Sequence, residues 1–255
     1  MVKKLPLFLT NQIGWKLLFK TVFISLVFLF AYTREFSFFP TLILAGTFLF
    51  AYISDFDDRR KYKTTFLTLA FCSFLGGKLV LFGAIPPIFS WVLFGLFFLS
   101  FFILFADVRV LFAKRDTAMF TLHTLTLFLT IFIMFLGIVF SVPLFISTTF
   151  FVIFLFLFPF FLFREYTRNM NLIWRGRIRV LGGVFGLVLV EMGLSMFFLP
   201  IPGIFVAVLL AGTGVFIEQA GILHLEGKIS KQTVFFYMFL FALLWGVSFF
   251  FTSVL

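Results

Sequence analysis

The chain has 255 residues, of which 63% are hydrophobic and only 12% are charged. A soluble domain carries roughly 25% charged and 45–50% apolar residues, so this apolar excess excludes a water-facing fold and requires lipid as the surrounding solvent. The net charge of +10 does not indicate a nucleic-acid-binding protein, because the basic residues lie at the ends of apolar segments and form no extended basic face.

Charge clusters and proline turns divide the chain into nine apolar segments. Each has roughly the 20 residues that an α-helix needs to cross about 30 Å of hydrocarbon. The sequence therefore predicts an all-α fold, a polytopic membrane bundle of nine transmembrane helices in one domain, residues 1–255. The predicted spans are 14–33, 38–54, 64–82, 86–106, 117–140, 143–163, 180–199, 203–222 and 232–254.

The basic residues determine the predicted orientation. All lysines and arginines except Arg34 and Lys78 lie at the N-terminus or in the loops after spans two, four, six and eight. The loop after span six, 164–179, alone has five arginines. Under the positive-inside rule, this arrangement predicts a cytoplasmic N-terminus, a C-terminus outside, and a location in the plasma (inner) membrane.

Ionisable residues within apolar spans are costly, so each is a candidate functional group. Glu191 lies near the middle of span seven and is predicted to face into the bundle. Similar depths predict two contacts, Lys78 with Glu191 in the outer half and His123 with Glu218 in the inner half. Each pair has two interpretations: a buried pair that fixes helix register, or part of a polar relay or ligand anchor.

Small residues also predict how two of the helices pack. Glycine and alanine at helical spacing let two membrane helices approach closely. Spans seven and eight both have such a stripe, so we expect these two helices to pack tightly against each other. The stripes are Gly182, Gly186 and Gly193 in span seven, and Ala207, Ala211 and Gly214 in span eight.

An acidic cluster at the end of span two is the candidate metal site. Closely spaced carboxylates, here Asp55 and Asp58, can hold Mg²⁺ together with substrate phosphates. The cluster resembles the first aspartate motif, N-D-x-x-D-x-x-x-D, of the intramembrane (UbiA-type) prenyltransferases. Asp55 and Asp58 match two of its aspartates, while Ser54 replaces the asparagine and Tyr62 the last aspartate.

The resemblance implies a Mg²⁺-dependent lipid-phosphate enzyme with nine spans and a cytoplasmic N-terminus. Members of that family have a second aspartate motif after span six. This chain has no aspartate after Asp116, so the ligands of a second magnesium site are missing. A prenyltransferase of this kind would be a degenerate relative of the family.

Two functional classes follow from these features. The first is a non-enzymatic membrane protein, a small carrier or an accessory or scaffold subunit, that uses no cofactor. Its expected partners are the lipid bilayer and a lipid or small-molecule ligand, and not nucleic acid. The alternative is the Mg²⁺-dependent lipid-phosphate enzyme. The chain has no phosphate-binding loop, no HExxH zinc motif and no GxSxG nucleophile elbow.

Overall fold

A computed structural model describes residues 12–55, 62–105, 115–141, 145–169, 175–198 and 201–225, with individual residues between 232 and 246. The described residues are helical apart from short turns, which confirms the all-α class. Those between 232 and 246 are helical as well. The eight continuous helices are α1 (Gln12–Thr33), α2 (Phe38–Asp55), α3 (Lys63–Leu81), α4 (Pro87–Phe105), α5 (Arg115–Ser141), α6 (Phe145–Asn169), α7 (Arg175–Phe197) and α8 (Gly203–Leu225).

These helices correspond to the first eight predicted spans. In the described part of the chain, five helices are long and apolar enough to cross a membrane, and three more have shorter apolar stretches. The protein is therefore a membrane-embedded bundle of apolar helices. The ninth span and the positions of the termini stay predictions.

The prediction that residues 164–179 form a sixteen-residue loop is wrong, because helices occupy most of this segment. Helix α6 continues to Asn169, and α7 begins at Arg175. Beyond the apolar run, α6 is amphipathic: Glu165 and Thr167 are buried, while Arg164 is exposed. The Thr167 hydroxyl also donates a hydrogen bond of 2.8 Å to the carbonyl of Phe163. The charged end of α6 therefore remains helical despite its lower hydropathy, because one of its faces is buried.

The helices form two compact units, residues 1–126 and 127–255, which divide the chain within α5. In the first unit, α1 packs against α2 and α4, and α3 packs against α4. In the second unit, α7 packs against both α6 and α8. The middle of α5, residues 129–138, is entirely buried. The predicted single domain stays a prediction.

Helix α3 ends in a Schellman turn at a glycine. The amide of Ala84 donates to the carbonyl of Leu79 over 2.9 Å, and that of Gly83 donates to Val80 over 3.0 Å. This pattern satisfies carbonyls at the helix end and needs a left-handed residue, which is usually glycine. Gly83 provides it, with φ of 73°.

Helix α1 ends in the same turn without a glycine. The amide of Phe36 donates to the carbonyl of Ala31 over 2.8 Å, and that of Glu35 donates to Tyr32 over 2.9 Å. Glu35 and Phe36 have φ of 54° and 50°, a conformation that costs a residue with a Cβ roughly 1–2 kcal/mol. Other contacts must therefore stabilise the α1–α2 turn.

Glycines bring α7 close to its two neighbours. The predicted packing of α7 against α8 is confirmed, since a Cβ at Gly193 would lie 3.3 Å from Leu210. Gly182 and Gly186, however, face α6. A Cβ at Gly186 would lie 2.7 Å from the ring of Phe156 and 3.0 Å from its carbonyl oxygen. The glycine stripe of α7 therefore serves mainly the α6–α7 contact.

Candidate ligand-binding cavity

The first unit encloses a cavity of about 320 Å³ among α1, α2, α3 and α4. This volume is within the range of roughly 300–1,000 Å³ that is typical of small-molecule sites. The floor of the cavity is formed by buried side chains from all four helices. These are Ile24 of α1, Phe48 of α2, Ser73 of α3, and Phe97 and Phe101 of α4.

The rim of the cavity is exposed, and it lies between α1 and α4. Leu29 is on one side, and Trp91, Gly95 and Phe98 are on the other. The three rim residues of α4 recur at positions i, i+4 and i+7, so they lie on one face of the helix. A Cβ at Gly95 would meet no atom within 4 Å. The cavity therefore opens between α1 and α4.

The cavity wall offers almost no hydrogen-bonding capacity. Its polar side chains are two serines and, at the exposed rim, Trp91 with its indole N–H. The Ser25 hydroxyl donates to the carbonyl of Thr21 over 2.9 Å, and that of Ser73 donates to the carbonyl of Ala70 over 2.9 Å. None of the lining residues is charged. A polar ligand group would lose its hydrogen bonds to water and gain few in return, so this wall favours hydrocarbon.

Aromatic contacts hold the helices at the spacing that leaves this cavity. The ring of Phe94 packs edge-on against Phe28 and Tyr32, with centroid distances of 5.4 and 5.3 Å. Phe48 and Phe101 pack at 5.3 Å across the floor. Such pairs contribute roughly 0.5–1.5 kcal/mol beyond the burial of their area. The packing of these rigid aromatic rings therefore keeps the cavity open.

The α1–α2 turn is fastened to α3 beside this aromatic group. Phe36 inserts its ring where Gly77 has no side chain, and a Cβ at Gly77 would overlap that ring. The ammonium group of Lys78 donates a hydrogen bond of 3.1 Å to the carbonyl of Glu35. It also lies 5.7 Å from the centroid of the Phe36 ring. Lys78, one of the predicted polar candidates, thus stabilises the left-handed turn.

The other predicted polar residues lie in different environments. His123 and Glu218 are buried, with 4% and 2% of their surface exposed. Glu191 is exposed on α7, so the prediction that its side chain faces into the bundle is wrong. The predicted Lys78–Glu191 and His123–Glu218 contacts each join residues of the two separate units, and they stay predictions.

The predicted metal site falls mostly outside the described residues. Asp55 is the last residue of α2, but its side chain is outside the description, as is all of Asp58. Among the described residues, no group of three or more His, Cys, Asp or Glu side chains could hold a metal ion. Magnesium binding at Asp55 and Asp58 stays a prediction.

The cavity is the feature that sequence reasoning missed. One signal was present: the spacing of Trp91, Gly95 and Phe98 places a residue without a side chain between two large aromatic residues on one helix face. Whether another helix fills that gap depends on packing, which the pattern does not contain. Comparisons with models of known protein families, with curated proteins and with solved structures found no match for this chain.

Proposed function

We propose that this protein is a non-enzymatic multi-pass membrane protein, a small carrier or accessory subunit, that binds the hydrocarbon chain of a lipid in the cavity of its first unit. One observation supports this function most directly: the cavity has a buried apolar floor and an exposed rim between α1 and α4. In a bilayer, such a rim faces the acyl chains of the surrounding lipid. A hydrocarbon chain can enter it without leaving a polar group unpaired.

The cavity is long enough to hold part of an acyl chain. Its lining on α4 extends from Trp91 to Phe101, a distance of about 15 Å at the rise of an α-helix. The hydrocarbon core of a bilayer is about 30 Å thick, so this is half of its thickness. Trp91 lies one turn inside the start of α4, and tryptophan is enriched where the hydrocarbon meets the headgroups. From Trp91 the lining runs past the middle of α4 to Phe101, so the ligand chain crosses the middle of the hydrocarbon.

The proposed topology has nine spans, with the N-terminus in the cytoplasm, the C-terminus outside and the chain in the inner membrane. The distribution of basic residues supports this orientation. Lys78 hydrogen-bonds the α1–α2 turn from the end of α3, so the α1–α2 and α3–α4 turns lie at the same end of the unit. That end carries the two basic residues, Arg34 and Lys78, that lie apart from the others. In this orientation, the end of the cavity at Trp91 lies nearer the outside.

A photoreactive lipid tests the proposal. The purified protein is reconstituted into vesicles that contain a phospholipid with a diazirine group in its acyl chain, and it is then irradiated. We expect labelling to concentrate on peptides from the cavity wall. Gly95→Leu places a side chain at the open rim, where nothing lies within 4 Å of a Cβ. It should reduce labelling of the wall several-fold.

Gly46 provides the matched control. It lies on α2, is exposed, does not line the cavity, and would also have nothing within 4 Å of a Cβ. Gly46→Leu should leave labelling of the wall unchanged. Equal labelling in both variants and the unmodified protein would contradict a lipid in the cavity.

A second pair of substitutions separates this function from the lipid-phosphate enzyme. Asp55→Asn and Asp58→Asn remove the carboxylates on which the magnesium prediction depends. Under the proposed function, labelling by the photoreactive lipid is the same with and without Mg²⁺, in the unmodified protein and in both variants. Binding of a lipid phosphate that requires Mg²⁺ and is lost in both variants would favour the enzyme instead.

A further inference from the structure

Exposed arginines lie at the end of α6 and the start of α7, next to the apolar parts of both helices. They are Arg164 and Arg168 of α6 and Arg179 of α7. Within the described part of the chain, the guanidinium groups of Arg164 and Arg179 have no hydrogen-bond or ion-pair partner. Arginine stays charged in proteins, so these two cations are available to an anion from outside the chain.

The packing of α6 against α7 places these two arginines at the same depth. Two glycines set the register of the antiparallel helices, through the distance from a Cβ at the glycine to a ring of α6: 2.7 Å from Gly186 to Phe156, and 3.2 Å from Gly182 to Phe160. Each step of four residues toward the start of α7 thus matches a step of four toward the end of α6. One further step brings Ile178 to the level of Arg164, so Arg179 lies within about 1.5 Å of that level.

Both arginines also lie at the same edge of the α6–α7 contact. Arg164 follows Phe160 by four residues, and Arg179 precedes Gly182 by three, so each is close to the face that meets the other helix. Helix α8 packs along another side of α7, and both arginines are exposed. They therefore lie at the edge that faces the membrane, where two long side chains at one level can hold a single anion between them.

The acidic residues nearest along the two helices do not neutralise this pair. Glu165 is only 5% exposed and lies about 100° around α6 from Arg164. Glu191 comes twelve residues after Arg179, which is about 18 Å along α7. The charge at this edge is therefore positive among the residues that the structure describes.

Toward the middle of the membrane, the same edge is apolar and has an open notch. Gly183 follows Arg179 by four residues, and a Cβ there would meet nothing within 4 Å. Leu187 comes four residues later on α7, and Phe161 comes three residues before Arg164 on α6. Their side chains are 56% and 40% exposed. An acyl chain can lie in such a notch, because it has no polar group that needs a hydrogen bond.

We propose that Arg164 and Arg179 together bind the phosphate of an anionic phospholipid, whose acyl chain lies over Gly183. Guanidinium groups bind phosphate oxygens through pairs of parallel hydrogen bonds. Both arginines lie where the apolar runs end, which is the depth of the headgroups in a bilayer. In the proposed orientation they face the cytoplasmic leaflet, which carries a negative surface potential. This site belongs to the second unit, whereas the cavity belongs to the first.

Photolabelling with two lipids tests this site. The probes are phosphatidylglycerol and phosphatidylcholine, each with a diazirine in the acyl chain near the glycerol, and each is added to the protein in phosphatidylcholine vesicles. We expect the anionic probe to label peptides of α6 and α7 several-fold more than the zwitterionic probe. An excess of inorganic phosphate should leave this preference unchanged, because the free anion has no acyl chain. Loss of the preference in phosphate would contradict a lipid site and indicate a site for the free anion.

Substitutions then identify the determinants of the preference. Arg164→Gln combined with Arg179→Gln should remove it, whereas lysine at both positions keeps the charges and should retain most of it. Arg34→Gln removes an exposed cation of the first unit and should change nothing. Gly183→Leu should reduce labelling by the anionic probe, and Gly221→Leu, at an open position of α8, should not. Equal labelling of the unmodified protein by both probes, or a preference that survives the double glutamine substitution, would overturn the proposal.

Discussion

Glycine next to phenylalanine has two different results in this protein, and a position in each unit shows one of them. In the second unit, Phe156 of α6 fills the space beside Gly186 of α7, and Phe151 fills the space beside Gly137. In the first unit, no side chain fills the space beside Gly95, and the surrounding rings form the walls of a cavity. A glycine in an apolar helix therefore produces close packing or an opening according to what faces it.

The difference between filled and open glycines also separates positions that stabilise the fold from positions that can affect binding. A filled glycine contributes to stability, because a side chain there would displace a neighbour. An open glycine contributes no such contact, so its replacement should leave the fold unaltered, and it should change what can bind only where the glycine lines the cavity.

Gly186→Ala should have the largest effect. The new Cβ would lie 2.7 Å from the ring of Phe156 and 3.0 Å from its carbonyl oxygen, and the backbone atom cannot rotate away. Overpacking of this kind costs about 1–3 kcal/mol. The free energy of unfolding of the detergent-solubilised protein measures it. Gly221→Ala, at an open position of α8, is the control; an equal loss in both variants would contradict the difference between filled and open glycines.

Lys78→Met should have the next largest effect. The substitution keeps an unbranched side chain but removes the hydrogen bond to the Glu35 carbonyl and the contact with the Phe36 ring. A hydrogen bond to a charged group contributes roughly 1.5–3 kcal/mol, and the partial exposure of Lys78 reduces this to about 1 kcal/mol. The same unfolding measurement applies. Arg34→Met removes an exposed cation of the same turn and should change stability little.

Glu35→Gly should stabilise the protein. Glu35 has φ of 54° in the Schellman turn, where glycine has no steric penalty, and the gain should be about 1 kcal/mol. Glu35→Ala keeps the Cβ and should give no such gain. If both variants are equally stable, the turn does not have the left-handed conformation.

Gly95→Leu should have the smallest effect on stability, below about 0.5 kcal/mol, because the site is open. Its effect on lipid labelling should nevertheless be the largest of the four substitutions. Separate measurements of unfolding and of labelling in this one variant compare the two roles of glycine directly. A large loss of stability would mean that the space beside Gly95 is filled.

The positions of the helices along the chain were easier to predict from the sequence than the packing of one helix against another. Most helix ends lie within three residues of the predicted spans, because continuous apolar runs determine helix length in a membrane. The end of α6 was missed because Glu165 and Tyr166 are buried despite following the first charge of the loop. Hydropathy records the residue type, while burial depends on the helix alongside.

The site was harder to predict for the same reason. With 49 phenylalanines in the chain, every helix presents similar rings, so composition does not say which glycine is filled. Lys78 was recognised as unusual, but its partner is a backbone carbonyl in a turn, which no side-chain pattern predicts. Glu191 was identified as a mid-membrane carboxylate. Its exposure depends on which face of α7 packs against the neighbouring helices, and the sequence pattern does not determine that.

Cysteine accessibility is the most direct test of the membrane topology on which the proposed function of the cavity depends. Pro86→Cys and Gly176→Cys, each in the Cys72→Ser background, place single thiols before α4 and at the start of α7, so that the three helices α4, α5 and α6 separate them along the chain. A membrane-impermeant maleimide is applied to intact cells and to inverted vesicles. The account predicts that residue 86 is labelled only from outside and residue 176 only from the cytoplasmic side. Labelling of both residues from the same side would contradict it.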